Sequence, residues 1–339
     1  MQRRTIALTF SLGLVLVLFS STAVAQYQLT NLVSNQVGVA PHTDPLLVNA
    51  WGLVHGPGTP WWVSDNASGW STLYTGAGVR LAQPLVEIPT ASGGGVGSPT
   101  GIVFNGSQEF QVHGFPSIFL FATLDGTISG WAPQADPNNA IIAVTAPGAS
   151  YTGLAITSKA SGNFLFAADN ANNKVDMYDG TFTLVKSFTD TTLPAGFAPN
   201  GIRDLAGLVY VAFASTSGAA GGFIDIFTEN GTFLKLLAQG PPLNQPWGLA
   251  AAPSNFGPLS NTLLVSNNTN TGSINGFNAI TGQFVGAVKD TTGKVIRIDQ
   301  LWGIDFGDGL GRNGGKNRLF FTSGPDNNFA GTFGTIVFK

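Results

Sequence analysis

Six side chains, each directly before a glycine in a repeated phrase, are of the types that bind small molecules in protein clefts. Three indole rings among them would supply apolar contact area, and two hydroxyls and an amide would orient a bound molecule by hydrogen bonds. These residues are Trp51, Thr100, Thr152, Asn200, Trp247 and Trp302. Three carboxylates, Asp65, Asp125 and Asp169, follow strand-like segments between the phrases. With Asn200 they suggest a weak oxygen site for calcium, which prefers such ligands.

The phrase itself consists of a turn residue, a glycine and an aliphatic pair, followed by an apolar segment and a turn rich in Asp and Asn. Its glycines are spaced 49, 52, 48, 47 and 55 residues apart. A period near fifty, made of short strands separated by Gly, Pro and Asn, is typical of a β-propeller in which each unit is one four-stranded blade. The sequence therefore predicts an all-β, six-bladed β-propeller of four-stranded antiparallel blades.

The last unit lacks a segment for its outer strand, because the chain ends at Lys339 soon after its third strand. At the other end, residues 27–33 alternate like a strand and precede the first unit without a blade of their own. Pairing of this N-terminal segment with the last blade would join the two ends and remove exposed strand edges. We predict that the ring closes in this way and that deletion of residues 27–33 opens it.

The residue before each glycine lies where an outer strand leads into the next inner strand, at the mouth of the central channel. Because the fifth, sixth and first blades are neighbours in a closed ring, Trp247, Trp302 and Trp51 are expected on one half of that mouth. Thr100, Thr152 and Asn200 are then expected on the other half, with the three aspartates turned towards the same face. The alternative is that the three rings simply fill and seal the channel.

Residues typical of catalysis are poorly matched to the repeat. No glutamate falls at the start of an inner strand, where propeller lactonases hold a divalent cation, and no histidine follows the period. Gly69-Trp70-Ser71 lacks the strand, turn and helix around a serine nucleophile. These glutamates and histidines are Glu87, Glu109, Glu229, His42, His55 and His113. A metal-dependent hydrolase, lactonase or lyase acting at the channel is therefore kept as the alternative to a non-catalytic binding protein.

The first 25 residues have the features of a signal peptide. Arg3 and Arg4 precede an apolar run over residues 6–19, and Ala23-Val24-Ala25 matches the small-residue cleavage pattern before Gln26. We predict a signal peptide over 1–25, a single propeller domain over 26–339, and a secreted or periplasmic protein without a membrane anchor after cleavage. The chain contains no cysteine, so disulfides are excluded.

Charge argues against a nucleic-acid partner. Removal of Arg3 and Arg4 from 15 basic residues leaves 13 against 18 acidic ones, a net charge of −5. Binding to phosphate backbones normally needs a basic face, and the Lys and Arg residues here are scattered singly. The expected partner is a small molecule, a glycan or a protein.

Residues 167–175 resemble the middle of an NHL-type repeat, whose members form six-bladed propellers. Over most of its length the chain is also similar to an uncharacterised family of secreted bacterial propellers, some with a C-terminal PEP-CTERM sorting tail. The phrases that carry this resemblance are residues 27–34, 49–53, 99–106, 125–131, 193–199 and 246–250. The resemblance implies the fold and export, and it implies no activity.

Overall fold

Each repeat forms a four-stranded antiparallel sheet, and the six sheets make the blades of a six-bladed β-propeller. The structure, a computed structural model, describes Met1 and residues 26–93, 95–157 and 162–339. The predicted signal peptide lies, apart from Met1, outside the described residues. The predicted fold class is confirmed. The period of the glycine phrase was sufficient to predict the number of blades, because each unit contains one inner strand that includes this phrase.

The strands occupy corresponding positions in the six blades, which are numbered 1 to 6 along the chain. In that order, the inner strands are Ala50–Val54, Pro99–Phe104, Tyr151–Thr157, Phe197–Leu205, Pro246–Ala251 and Leu301–Phe306. The second strands are Trp61–Asp65, Phe119–Thr123, Phe164–Asp169, Leu208–Ser215, Thr262–Asn267 and Arg318–Ser323. The third strands are Trp70–Tyr74, Thr127–Trp131, Lys174–Asp179, Phe223–Thr228, Ile274–Asn278 and Thr332–Phe338. The outer strands are Val86–Glu87, Ile141–Thr145, Leu184–Phe188, Phe233–Gln239, Phe284–Ala287 and, for blade 6, Tyr27–Ser34.

The ring closes as predicted, because the N-terminal strand Tyr27–Ser34 completes blade 6. It pairs antiparallel with Thr332–Phe338 along its whole length, from Tyr27 opposite Phe338 to Ser34 opposite Thr332. The two-residue strand His42–Thr43 adds to its outer edge in parallel. The third strand of blade 6 would otherwise be an exposed edge with unpaired backbone groups, and this pairing covers it.

Short elements complete the described part of the chain. The connection between the inner and second strands of blade 2 contains a small hairpin, Gln111–Val112 with Phe115–Pro116, and a single 3₁₀ turn spans Gly257–Leu259. Blade 1 ends in an outer strand of only two residues, Val86–Glu87. In the described ranges no helix is long and apolar enough to cross a membrane.

Hydrophobic side chains are distributed between the blades. Because successive residues of a strand point to opposite faces of the sheet, each blade presents apolar side chains to both neighbours. Six separate buried clusters result, one at each interface between adjacent blades. A seventh cluster stands apart in the centre of the ring and consists of Trp51, Trp247 and Trp302, with Leu124 packed against it.

Candidate functional site

The three tryptophans predicted at the channel mouth pack against one another as a compact cap. Trp51 stacks on Trp302 with ring centroids 3.7 Å apart, and Trp247 meets both rings edge-on, at 6.4 and 6.0 Å. Their exposed fractions are only 7%, 9% and 6% for Trp51, Trp247 and Trp302. The rings thus fill the centre of the ring of inner strands, as the alternative interpretation expected, and do not form an open wall.

Hydrogen bonds fix the orientation of this cap. Trp247 Nε1 donates to the carbonyl of Thr152 at 2.9 Å, which spans the channel from blade 5 to blade 3. Trp302 Nε1 donates to Asn49 Oδ1 at 3.0 Å, and Asn49 donates in turn to Asn66 Oδ1. Two of the three indoles are therefore held by polar contacts as well as by ring packing, which makes the cap a fixed element.

The polar residues predicted at the mouth connect neighbouring blades. Thr100 Oγ1 donates to the carbonyl of Tyr151 at 2.6 Å, from blade 2 to blade 3. Asn200 Nδ2 donates to the carbonyl of Pro246 at 3.1 Å, from blade 4 to blade 5. Thr152 Oγ1 lies 3.5 Å from the carbonyl of Pro199. These contacts give the residues a structural role, while their proposed role in ligand binding stays a prediction.

The three aspartates predicted near the mouth lie in different blades and have separate environments. Asp65 and Asp169 are fully buried, whereas Asp125 is exposed and accepts a hydrogen bond from the Ala91 amide at 2.7 Å. Asp169 accepts hydrogen bonds from the Ser150 and Asn172 amides. Within the described residues, no group of three or more acidic or histidine side chains is arranged to hold a metal ion. Calcium binding by these three aspartates stays a prediction.

Asp65 is the most perturbed of these carboxyl groups. Burial, together with the nearby charge of Asp44, raises the pKa of Asp65 well above its usual range, although the neighbouring Thr72 opposes the shift. Asp44 itself is paired with Arg80, with Oδ2 2.9 Å from Nε, and accepts the Tyr74 hydroxyl at 2.8 Å. Asp65 therefore retains its proton at pH values where an exposed aspartate is ionised.

We expect Asp65→Asn to make the protein more stable at neutral pH. The folded protein holds the Asp65 proton above pH 3.8 and the unfolded chain does not, so the free energy of unfolding falls as pH rises from about 4 to the raised pKa. One such proton contributes a slope of up to about 1.4 kcal/mol per pH unit. Asparagine has the shape of the neutral acid and cannot ionise. Urea unfolding of both proteins across this range should show a shallower slope for Asp65→Asn, and parallel profiles would contradict the assignment.

Below the cap lies a cavity of about 270 Å³ bounded by all six inner strands. Each inner strand pairs on one side only, with its second strand. Its other edge pairs with no further strand and faces the channel. The cavity is lined by Leu53, Val54, His55, Gly101, Ile102, Val103, Phe104, Leu154, Ala155, Ile156, Ile202, Arg203, Asp204, Trp247, Gly248, Leu249, Gly303 and Ile304. Trp247 is the cap residue in this lining, so the cavity runs from the cap towards the ends of the inner strands.

A charged pair crosses the channel at the end opposite the cap. Arg203 extends from blade 4 and places Nη2 2.5 Å from Asp305 Oδ2 in blade 6. Its Nη1 lies 3.4 Å from the carbonyls of both Leu249 and Ile304. The Arg203 and Asp305 side chains are 32% and 13% exposed, so solvent reaches this end of the channel.

His55 forms part of the same rim. Its Nε2 lies 3.0 Å from the Phe306 carbonyl, its Nδ1 3.0 Å from the Gly56 carbonyl, and Asp308 Oδ2 is 3.7 Å away from Nδ1. The imidazole also meets the Trp61 ring edge-on at 4.6 Å. His55, Arg203 and Asp305 thus make a polar entrance to a cavity with apolar walls, on the opposite face of the ring from the predicted site.

Sequence analysis missed this entrance, although the sequence contains a signal for it. Two residues after the repeated glycine, four units have Val54, Val103, Ala155 and Ala250, and the other two have Arg203 and Asp305. A charged residue at a position where the other repeats have a small apolar side chain indicates a local function or an ion pair. The opposite charges in blades 4 and 6 were compatible with a contact across the channel.

Comparisons with known proteins support the fold and leave the activity open. No family model matches the chain. Two uncharacterised proteins of Acanthamoeba polyphaga mimivirus are 29% and 27% identical to it, over 93% of this chain and 81% and 87% of their own lengths. A third from the same virus is 32% identical over 67% of this chain and 47% of its own length. These relatives are viral, so the resemblance to a bacterial family stays a prediction.

Solved structures with the same fold include two enzymes. A streptogramin B lyase aligns over 93% of this chain and 98% of its own, with a TM-score of 0.54 and 12% identity. A gluconolactonase from Xanthomonas campestris aligns over 87% and 89%, with a TM-score of 0.54 and 13% identity. At such identities the likeness concerns the fold alone. The class of protein is thus a six-bladed β-propeller with a capped central channel.

Proposed function

We propose that this protein binds a small polar or amphipathic molecule in its central channel and that the molecule enters past Arg203 and Asp305. The observation that carries this proposal is the cavity of about 270 Å³ with a charged pair at one end and the tryptophan cap at the other. Its volume is just below the range of about 300–1,000 Å³ usual for ligand pockets. The ligand would therefore be small.

The lining supports this class of ligand. Backbone groups on the inner-strand edges that face the channel can pair with hydroxyl, carbonyl or amino groups, and the aliphatic side chains can cover apolar parts. The Arg203 guanidinium has donors in a planar fork suited to a carboxylate or another oxyanion. Trp247 would form the floor of the site, so the predicted role of the tryptophans is retained for one ring.

Binding without catalysis is the favoured form of the proposal. The hydrolase, lactonase or lyase alternative would act in the same channel, whose lining includes the ionisable side chains of His55, Arg203 and Asp204. The fate of the ligand distinguishes the two functions, because a bound molecule should be recovered unchanged from a binding protein.

We also propose export of the protein, on the sequence of residues 1–25, and N-terminal sequencing of the exported chain should begin at Gln26.

A thermal-shift panel of sugars, organic acids and other small metabolites would test the channel site. A molecule that raises the Tm of the wild-type protein should bind Arg203→Met at least about tenfold more weakly, because one lost charged hydrogen bond costs about 1.5–3 kcal/mol. Arg297→Met is the matched control, because Arg297 is exposed and donates to the Thr271 carbonyl. Equal affinity of the two variants would contradict the proposed site.

A further inference from the structure

The third strands of blades 3 and 4 carry an aspartate at the same position of the sheet. Asp176 pairs with Ala167 in the second strand and Ser187 in the outer strand. Asp225 pairs with Val211 and Leu236 in the same two strands of its own blade. Each carboxyl group faces the preceding blade, so the two blades provide a comparison of one residue in two environments.

In blade 3 the carboxylate is fully provided with partners. Asp176 Oδ2 accepts the Tyr151 hydroxyl at 2.9 Å, and Oδ1 accepts the Ser187 hydroxyl at 2.5 Å. Lys174 Nζ lies 2.8 Å from Oδ1 and supplies the compensating positive charge. A buried carboxylate with one cation and two donors is the stable arrangement expected in a protein interior.

In blade 4 all three of these partners are replaced by side chains that cannot donate. Pro199 stands two residues before the glycine where blade 3 has Tyr151, Leu236 stands opposite the aspartate where blade 3 has Ser187, and Phe223 stands at the position of Lys174. Asp225 is nevertheless completely buried, and neither of its oxygens accepts a hydrogen bond from an N–H or hydroxyl group of the described residues.

A second carboxylate takes the place of the missing donors. Asp190, in the connection from blade 3 to blade 4, is 5% exposed and lies beside Asp225. Its Oδ1 accepts the Thr192 amide and hydroxyl, both at 2.7 Å, while its Oδ2 has no partner. The hydroxyl of Thr189 is also buried without a partner. Among the described residues, four buried oxygens of Thr189, Asp190 and Asp225 therefore have no N–H or hydroxyl donor.

The surroundings do not supply a compensating charge. Asp225 is on the face of its strand that carries Phe227, which packs in the apolar cluster between blades 3 and 4 with Phe213. No Lys or Arg of the described chain forms an ion pair with Asp190 or Asp225. Burial, the charge of Asp190 and a hydrogen bond between the two carboxyl groups raise the pKa of Asp225 to about 8.

We propose that the interface between blades 3 and 4 binds a hard divalent cation of the calcium class between Asp190 and Asp225, with the Thr189 hydroxyl as a further ligand. Two carboxylates would neutralise the cation, and oxygen is the donor that such ions prefer. Water would complete the coordination. This site is distinct from the channel and from Asp65, Asp125 and Asp169, and it would stabilise the contact between two blades.

The test compares the full chain with Asp225→Asn and with the matched control Asp176→Asn, each freed of metal by chelator. Thermal unfolding is followed at about pH 9, above the raised pKa of about 8 of the Asp225 carboxyl group. Addition of Ca²⁺ or Mg²⁺ at about a hundred times its Kd should raise the Tm of the wild type and of Asp176→Asn by about 5 °C. Asp225→Asn should show no shift. Asp190→Asn should also show no shift, and this variant replaces Asp225→Asn in the test if Asp225→Asn does not fold.

Two results would overturn the proposal. An equal shift in wild type and Asp225→Asn would place the bound cation elsewhere on the molecule. Absence of any shift in the wild type, with Asp225→Asn melting higher than wild type in chelator, would show that the carboxyl pair shares a proton. Metal analysis of the wild-type protein purified without chelator provides an independent readout, and about one equivalent of a divalent cation is expected.

Discussion

Deletion of residues 27–34 from the full chain will abolish cooperative unfolding, because the ring can no longer close. The deletion removes the whole ladder with Thr332–Phe338 and the buried side chains of Tyr27, Leu32 and Val33. Burial of each such side chain contributes about 1.5–3 kcal/mol, so their sum approaches the whole stability of a typical domain. Thermal unfolding followed by near-ultraviolet circular dichroism should show no native transition.

Two further measurements separate ring closure from general damage. A synthetic peptide of residues 26–35 should bind the deleted protein and restore a cooperative transition, because the missing strand is supplied in trans. Tyr27→Phe keeps the ring contacts with Phe256 and Phe338 but loses two hydroxyl hydrogen bonds, one donated to the Phe256 carbonyl and one accepted from the Leu259 amide, so it should cost about 2 kcal/mol. A deleted protein that unfolds like the wild type would contradict this closure.

Gly201→Ala should destabilise the protein by at least about 3 kcal/mol. A Cβ at this position would overlap the backbone carbonyl of Trp247, at the start of the next inner strand. The backbone at Trp247 cannot move aside as a flexible side chain can, and a shift of this backbone would also displace the indole ring of the cap. The free energy of unfolding in urea is the measurement, with the near-ultraviolet signal of the tryptophans as a readout of the cap.

Gly286→Ala is the matched control for this substitution. Gly286 is also in a strand and has a negative or extended φ, but its added Cβ would meet only Leu259 Cδ2 at 3.7 Å, an ordinary contact. We expect a change of less than about 0.5 kcal/mol. Equal effects at the two positions would show that the repeated glycine is not required for the close approach of neighbouring inner strands.

The architecture was predictable because it depends on features that recur. Six copies of one phrase fix the blade number, alternation of apolar residues fixes the strands, and an unpaired segment at each end fixes the closure. The strand predicted over residues 27–33 lies within the observed strand Tyr27–Ser34. Such patterns depend on the backbone period and on burial, which are both visible in the sequence.

The arrangement of the site was less predictable because it depends on side-chain conformations in three different blades. The order of the blades places Trp51, Trp247 and Trp302 together, but it does not decide whether the rings line a wall or stack over the axis. The 3.7 Å stacking of Trp51 on Trp302 closes that end. The contact between Arg203 and Asp305 depends in the same way on a long side chain that reaches past blade 5.

The most direct test of the channel site asks which end of the channel is open, and the absence of cysteine from the chain makes it simple. A small charged thiol reagent would be applied to two single variants. Ile156→Cys places a thiol in the cavity lining, and Thr152→Cys places one beside Trp247 of the cap. In the folded protein we predict that the thiol of Ile156→Cys reacts at least about a hundredfold faster than the thiol of Thr152→Cys. The packed tryptophan rings would keep the reagent from the thiol at position 152. Faster reaction at Thr152→Cys would contradict the proposed entrance and return it to the tryptophan face.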